Sequence, residues 1–162
     1  MIDLKAHAEK AKIQLKKNKQ TATVLARKKP KDLDAVVLNL HQKAFSHIDC
    51  LACANCCKSI SPIVTDKDIQ RIAKYLRIRP AQFTETYLLL DNENDYVFKS
   101  QPCPFLGNDN YCSIYEARPK ACREYPHTDR EKFYQLLNLS VKNTLICPAV
   151  LEVFEELGNK IK

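Results

Sequence analysis

Apolar residues recur along much of this chain at three- and four-residue steps, the spacing that gathers them on one face of an α-helix. The clearest stripe begins at Leu33, continues to Ile48 and leads directly to Cys50. A second stripe follows Thr65, which is placed to cap a helix with Asp66 and Asp68 in its first turn. The pattern therefore predicts a mainly α-helical protein.

Other segments predict further helices. Residues 1–28 have helical composition with a weak apolar stripe, and a short helix is predicted to begin at Pro80. Residues 128–131 have the form of a capping box, which predicts a helix directly after them. A last helix is predicted to begin after Cys147 and to end at Gly158.

Two short runs contain β-prone residues, Tyr96–Phe98 and residues 111–115. Residues 107–110 are typical of a turn, so we expect a small hairpin with this turn at its tip. The expected fold class is mainly α: a small irregular helical domain with cysteine-bearing loops at helix ends and at most a short β-hairpin.

The net charge of +7 is concentrated at the N-terminal end. Residues 1–31 carry ten lysines and arginines against Asp3 and Glu9, a net charge of +8, while the remaining residues have a net charge of −1. Pro30 interrupts the helical pattern at the end of this basic segment. We therefore expect two parts, a basic helical N-terminal arm over residues 1–31 and a single cysteine-cluster metal-binding domain over residues 32–162.

Eight cysteines carry the chemistry that the sequence predicts. Four follow the spacing C-x2-C-x2-C-C and four follow singly; the full set is Cys50, Cys53, Cys56, Cys57, Cys103, Cys112, Cys122 and Cys147. Residues 1–25 contain no apolar run of the kind a secretory signal needs, and no stretch is apolar enough to span a bilayer, so we expect a cytoplasmic protein without a membrane partner. Because cytosolic thiols are kept reduced, so dense a cysteine pattern favours metal binding over disulfides.

Cysteines three residues apart can direct their sulfur atoms to one point, so all eight are candidate ligands of zinc, iron or an iron–sulfur cluster. Adjacent side chains commonly point in different directions, so we expect Cys56 and Cys57 to point apart and one or two centres to form. A centre of four thiolates stays negatively charged when it holds a divalent ion. Arg118 and Arg123 flank Cys122 and are the nearest candidates to offset that charge.

The cysteine segments also resemble those of a known family. After the C-x2-C-x2-C-C run, the chain has Cys-Pro-Phe-Leu at 103–106, Cys-Ser-Ile-Tyr-Glu-Ala-Arg-Pro at 112–119 and Cys-Arg-Glu-Tyr-Pro at 122–126. In order and type these segments resemble the C-x2-C-x2-C-C cysteine-cluster family, which is described as zinc- or iron-chelating. The resemblance covers residues 50–126 and implies metal binding; Cys147 lies beyond it and fits as a late ligand.

Three functions compete at this point. The first is a cytosolic metal-binding protein that chelates zinc or iron, and the second is an iron–sulfur or iron-dependent enzyme with an open coordination position at its metal. The third is a nucleic-acid-binding zinc module that uses the basic residues between 5 and 31, although a solvated basic helix explains these residues better. All-cysteine ligation suits both zinc and iron, and the sequence indicates neither a reaction nor a protein partner.

Overall fold

A computed structural model describes residues 2–161. Helices make up most of this part of the chain, which confirms the mainly α fold class. In chain order the helices are α1 (Leu4–Lys28), α2 (Leu33–Phe45), α3 (Cys50–Cys53), α4 (Asn55–Ser59), α5 (Asp66–Leu76), α6 (Pro80–Tyr87), α7 (Lys120–Glu124), α8 (Leu137–Asn143) and α9 (Pro148–Lys160). Single 3-10 turns occur at Tyr115–Ala117 and Phe133–Gln135.

Two strands complete the described structure. β1 (Leu88–Leu90) pairs antiparallel with β2 (Tyr96–Phe98), with Leu89 opposite Val97. The hairpin therefore lies one segment earlier than the sequence predicts. The predicted turn at 107–110 does form, but it closes the isolated bridge between Leu106 and Cys112.

The chain divides into two compact units. The first unit comprises the chain up to Cys53 and again from Pro126 on, and the second unit is Ala54–Tyr125. The C-x2-C-x2-C-C motif straddles this division, because α3 ends at Cys53 and Cys56 follows in the second unit. The expected division at residue 31, between a basic arm and a cysteine-cluster domain, stays a prediction.

In the first unit, α1 packs against α8 and α9, and α2 packs against α9. Asp3 begins α1 by accepting hydrogen bonds from the backbone N–H groups of Lys5 and Ala6, both at 3.0 Å. The core of this unit includes Leu25, Val37 and Phe154, each at most 2% exposed. The basic N-terminal helix is thus an integral part of the unit's packing.

Two predicted helix ends differ from the structure, and each has a physical reason. α9 continues past Gly158 to Lys160; a Cβ at this glycine would lie 3.3 Å from both Lys17 Cε and Thr21 Oγ1, so it allows α1 to approach closely. No regular α-helix begins directly after residues 128–131. Instead the Asp34 carboxylate accepts from the N–H groups of Lys132 and Phe133, and this holds a 3-10 turn before α8.

The second unit has its own core, formed by α5, α6, the hairpin and the loop around Phe105. Phe105 lies 5.7 Å from Phe98 and 6.4 Å from Phe83, measured between ring centroids. Thr65 and Asp68 form the predicted N-terminal cap of α5, a capping box in which each side chain bonds the other's backbone N–H. Within residues 2–161, no helix combines the length and apolar composition needed to cross a membrane.

Candidate metal centres

In the second unit, Cys57 and Cys103 are joined through their backbones. Cys57 lies in α4, a helix of five residues with no buried side chain. The backbone N–H of Cys103 donates to the carbonyl oxygen of Cys57 at 2.8 Å. This hydrogen bond fixes the loop that carries Cys103 beside the short helix that carries Cys57.

Cys112 is brought to the same loop by the small turn at 107–110. Leu106 and Cys112 form an antiparallel bridge, and the N–H of Ser113 donates to the carbonyl of Phe105 at 2.8 Å. Phe105 is 6% exposed and packs among the aromatic side chains of the core. The two thiol-bearing segments are therefore anchored by one buried ring between them.

Cys122 lies in α7, and a buried carboxylate holds the segment that leads into this helix. Asp68 is 1% exposed and forms a 2.8 Å ion pair with Arg71, and it accepts from the N–H of Lys120 at 3.1 Å. Arg71 in turn donates to the carbonyl of Arg118 at 2.8 Å. Burial would raise the pKa of Asp68, but the hydrogen bonds from Thr65, Arg71 and Lys120 hold this pKa below its usual value.

The four thiols of the second unit lie in one another's electrostatic field. Burial, then the charges of Cys57, Cys103 and Cys112, raises the pKa of Cys122 to about 12. Burial raises the pKa of Cys103 to about 11, with Cys57 and Cys112 adding to the rise, and burial and Cys57 also raise the pKa of Cys112. These four residues form the group that we name the second-unit thiols: Cys57, Cys103, Cys112 and Cys122.

Cys57 differs from the other three. A hydrogen bond from the Cys56 side chain lowers the pKa of Cys57 to about 7, with further lowering by its own backbone N–H and by Lys58. The Cys56 side chain therefore reaches the Cys57 sulfur, and the expectation that the two neighbours point apart is not met. Lys58 is a nearby positive charge that the sequence analysis missed.

The two predicted charge partners are placed differently. Arg118 lowers the pKa of Cys112 and of Cys122, so its charge acts on the second-unit thiols, and its guanidinium lies 3.8 Å from the centre of the Tyr115 ring. Arg123 is exposed on α7. Its predicted role beside the thiols stays a prediction.

The first unit holds a second group, the first-unit thiols Cys50, Cys53 and Cys147. Cys147 is 8% exposed and occupies the N-cap position of α9, although its side chain makes no capping hydrogen bond. Burial raises the pKa of Cys147 to about 12; the nearby backbone N–H groups of Val150 and Ala149 oppose this rise, and the charges of Cys50 and Cys53 add to it. Cys50 and Cys53 lie on α3, which has no buried residue, and Cys50 is exposed.

A cavity of about 230 Å³ in the first unit lies along the start of α9. Its wall includes Pro148, the residue after Cys147, and Ile48, two residues before Cys50. Two side-chain pairs line it, a hydrogen bond between His47 and Glu152 at 2.9 Å and an ion pair between Lys10 and Glu155 at 2.8 Å. Its wall thus combines apolar side chains with polar and charged pairs.

Within residues 2–161, no three His, Cys, Asp or Glu side chains stand in an arrangement that could hold a metal ion. The structure brings the thiols into two neighbourhoods without converging their sulfur atoms on one point. Among the described residues, which include all eight cysteines, no disulfide bond joins two of them. Their assignment as ligands, including that of Cys56, stays a prediction, while the all-thiol donor set itself suits zinc and iron.

The residues that position the second-unit thiols carry little signal in the amino-acid sequence. Asp68 could be recognised only as an acid in a first helical turn, because burial and a contact 52 residues away leave no local pattern. Arg71 gave no signal for the same reason. Phe105 did carry a signal, since it belongs to the Cys-Pro-Phe-Leu segment at 103–106 that resembles the cysteine-cluster family.

Comparison with known proteins identifies the family. The model of the CxxCxxCC family, whose printed description is "Putative zinc- or iron-chelating domain", matches residues 49–140. Because the match covers more than half of the chain, this protein belongs to that family. The resemblance stated from the sequence is confirmed, and the matched segment contains every cysteine except Cys147.

A curated relative that matches the chain does not indicate an activity. An uncharacterized protein of Methanocaldococcus jannaschii is 33% identical over 84 residues, which are 49% of this chain and 44% of that protein. The chain thus spans less than half the length of this relative. No solved structure matches the chain.

Proposed function

We propose that this protein binds zinc or iron through two separate groups of thiolates, one in each unit. The observation that supports this most is the second-unit group, in which backbone hydrogen bonds and a small antiparallel bridge hold together the segments that carry Cys57, Cys103 and Cys112. Four thiolates are the number that completes a tetrahedral zinc or iron site. The family to which this protein belongs is described as zinc- or iron-chelating, which agrees with a donor set of thiolates.

Charge supports the same proposal. A divalent ion with four thiolates has a net charge of −2, and partial burial makes that charge costly unless cations lie nearby. Arg118 and Lys58 act electrostatically on the second-unit thiols. Burial raises the pKa of Cys103 and of Cys122, and a bound metal ion would supply a positive charge that favours their thiolate forms.

Metal binding and folding are coupled in this proposal. Ligation replaces the thiol protons by the metal, and the free energy of metal binding adds to the stability of the second unit.

The first-unit thiols favour a second candidate function. Three protein thiolates leave the fourth tetrahedral position of a metal open, as catalytic sites do. The cavity beside Pro148 and Ile48 gives room for a small ligand close to the residues that precede and follow these thiols. We therefore keep an iron-dependent enzyme as the alternative, with its open position in the first unit.

Anaerobic purification followed by elemental analysis and an optical spectrum tests the first proposal. We expect zinc or iron in the purified protein, and sulfur-to-iron absorption only where iron is bound. The double variant Cys112→Ser/Cys122→Ser should lose about one centre, because two of four ligands are removed. The matched control Ser59→Ala/Ser100→Ala changes two exposed serines of the second unit and should keep the wild-type metal content. A metal-free wild-type protein that also fails to take up added zinc or iron would contradict the proposal.

The alternative is tested with the same preparation. Azide or cyanide added to the iron-loaded protein should change its spectrum where the metal has an open position. The change should disappear in Cys50→Ser, which removes an exposed first-unit thiol, and persist in Cys122→Ser. A spectrum insensitive to both anions would exclude the open position.

A further inference from the structure

The outer surface of α1 carries a straight row of positive charges. At 100° per residue, five basic side chains of α1 lie within about 80° of the helix circumference. Each of the five is exposed. We name this row the basic stripe: Lys5, Lys12, Lys16, Lys19 and Arg27.

The stripe is separate from the basic residues of α1 that have structural contacts. Lys10 pairs with Glu155, Lys17 lies against Gly158, and both point about 120–140° away from Lys5. Among the described residues, none of the five stripe side chains has an ion pair. Glu9 is the carboxylate of α1 on this face, so the stripe keeps a clear positive excess.

We propose that the basic stripe binds the phosphate backbone of double-stranded nucleic acid without reading its sequence. From Lys5 to Arg27 the helix rises about 33 Å, close to the length of one turn of duplex DNA. A rigid row of cations matches a regular row of phosphates, and counterion release drives such binding. The packing of α1 on α8 and α9 keeps the row straight.

Two features favour a duplex over other polyanions. α1 contains no aromatic residue of the type that stacks on bases, and its one histidine, His7, is buried, so single strands gain little. A helix that inserts into a membrane surface needs a free apolar face. Here Ala11, Ala22 and Leu25 are buried, and Ile13 is the large apolar side chain of α1 left exposed.

The test measures binding of the full-length, metal-loaded protein to a fluorescent 24-base-pair duplex at several salt concentrations. Five phosphate contacts predict a slope of about −4.5 in log K against log salt, so affinity should fall by about 10²–10³-fold between 50 and 200 mM. The variant Lys12→Gln/Lys16→Gln/Lys19→Gln should bind more weakly, with a slope of about −1.8 from the two remaining contacts.

The matched control removes the same charge elsewhere. Lys67, Lys74 and Lys142 are exposed and lie outside α1, so Lys67→Gln/Lys74→Gln/Lys142→Gln has the same net charge as the stripe variant. We expect this control to keep the wild-type affinity and slope, and two duplexes of different sequence to bind equally. Equal weakening by both triple variants would overturn the proposal, as would tighter binding to single strands or to vesicles of anionic lipid than to the duplex.

Discussion

The two groups of thiols are held in different ways. In the second unit, Cys57, Cys103 and Cys112 are tied by backbone hydrogen bonds around a buried aromatic ring, and a buried ion pair fixes the approach to Cys122. In the first unit, Cys50 and Cys53 share a short helix without buried residues, and only Cys147 is built into the core. Four anchored thiols suit a closed, structural centre, whereas three thiols, one of them exposed, suit a centre that exchanges its ligands.

Among these predictions, removal of the metal should change stability most, and it should destabilise the second unit more than the first. Structural zinc stabilises small folds by roughly 10 kcal/mol, which is comparable to the whole stability of a domain. We expect chelation under reducing conditions to abolish hydrogen-exchange protection in Ala54–Tyr125 while α1, α2 and α9 keep much of theirs. Equal protection in both units before and after chelation would show that the metal is not structural.

Proton release should follow from the raised pKa values of the second-unit thiols. At pH 8 Cys57, whose pKa is lowered to about 7, is mostly ionised. The other three thiols hold their protons, because burial raises the pKa of Cys103 to about 11, the pKa of Cys122 to about 12, and the pKa of Cys112 above its usual value. A metal that binds there should release about three protons, so its affinity should rise with pH by about three orders of magnitude per unit. An indicator dye in weak buffer measures the protons.

The controls for proton release use the same thiols. Cys122→Ser should reduce the release at pH 8 by about one proton. The count should approach four at pH 6, because Cys57 is then protonated too. A release that does not depend on pH would contradict the assignment.

Phe105→Ala should destabilise the second unit by about 3–5 kcal/mol, because it empties the ring position at the centre of its aromatic cluster. It should also weaken metal retention there, since Phe105 anchors the segments of Cys103 and Cys112. Phe154→Ala, which removes a buried ring from the first unit, is the matched control. Loss of metal from Phe154→Ala but not from Phe105→Ala would contradict the difference that we describe between the two units.

Asp68→Asn should have a smaller effect of about 1–3 kcal/mol, because Arg71 and the N–H of Lys120 lose a charged partner. The pKa of Asp68 is lowered in the folded protein, so its contribution is present above pH 3.8 and is lost as the pH falls through the lower folded value. The measurement is chemical denaturation of wild type and variant between pH 7 and pH 2. A stability difference that persists unchanged at pH 2 would exclude this origin.

Local patterns in the sequence were sufficient for much of the fold. Helical spacing gave α2 and α5, and the proline after Cys147 gave the start of α9. The pairing of β1 with β2 was missed because hairpin register depends on long-range packing of Phe98. The division of the cysteines into two groups left no local signal either, since it depends on contacts between segments far apart in the chain.

The packing of the N-terminal helix is a further feature that the local sequence pattern did not reveal. Its composition predicted a basic arm separate from the cysteine-cluster domain. In the structure, Leu25 and Ala11 are buried and Gly158 admits α1 close to α9, so we now expect deletion of residues 1–31 to destabilise the first unit. A weak apolar stripe in the sequence was compatible with burial because small residues, rather than large ones, make this contact.

The number of cobalt ions bound by single serine variants tests the central claim of two separate thiol centres most directly. Wild type should bind about two equivalents, with absorption from both a four-thiolate and a three-thiolate site. Cys50→Ser should keep the four-thiolate absorption and lose the other, and Cys122→Ser should do the opposite. If either substitution removed both signals together, the eight cysteines would form one shared centre and the account of two groups would be wrong.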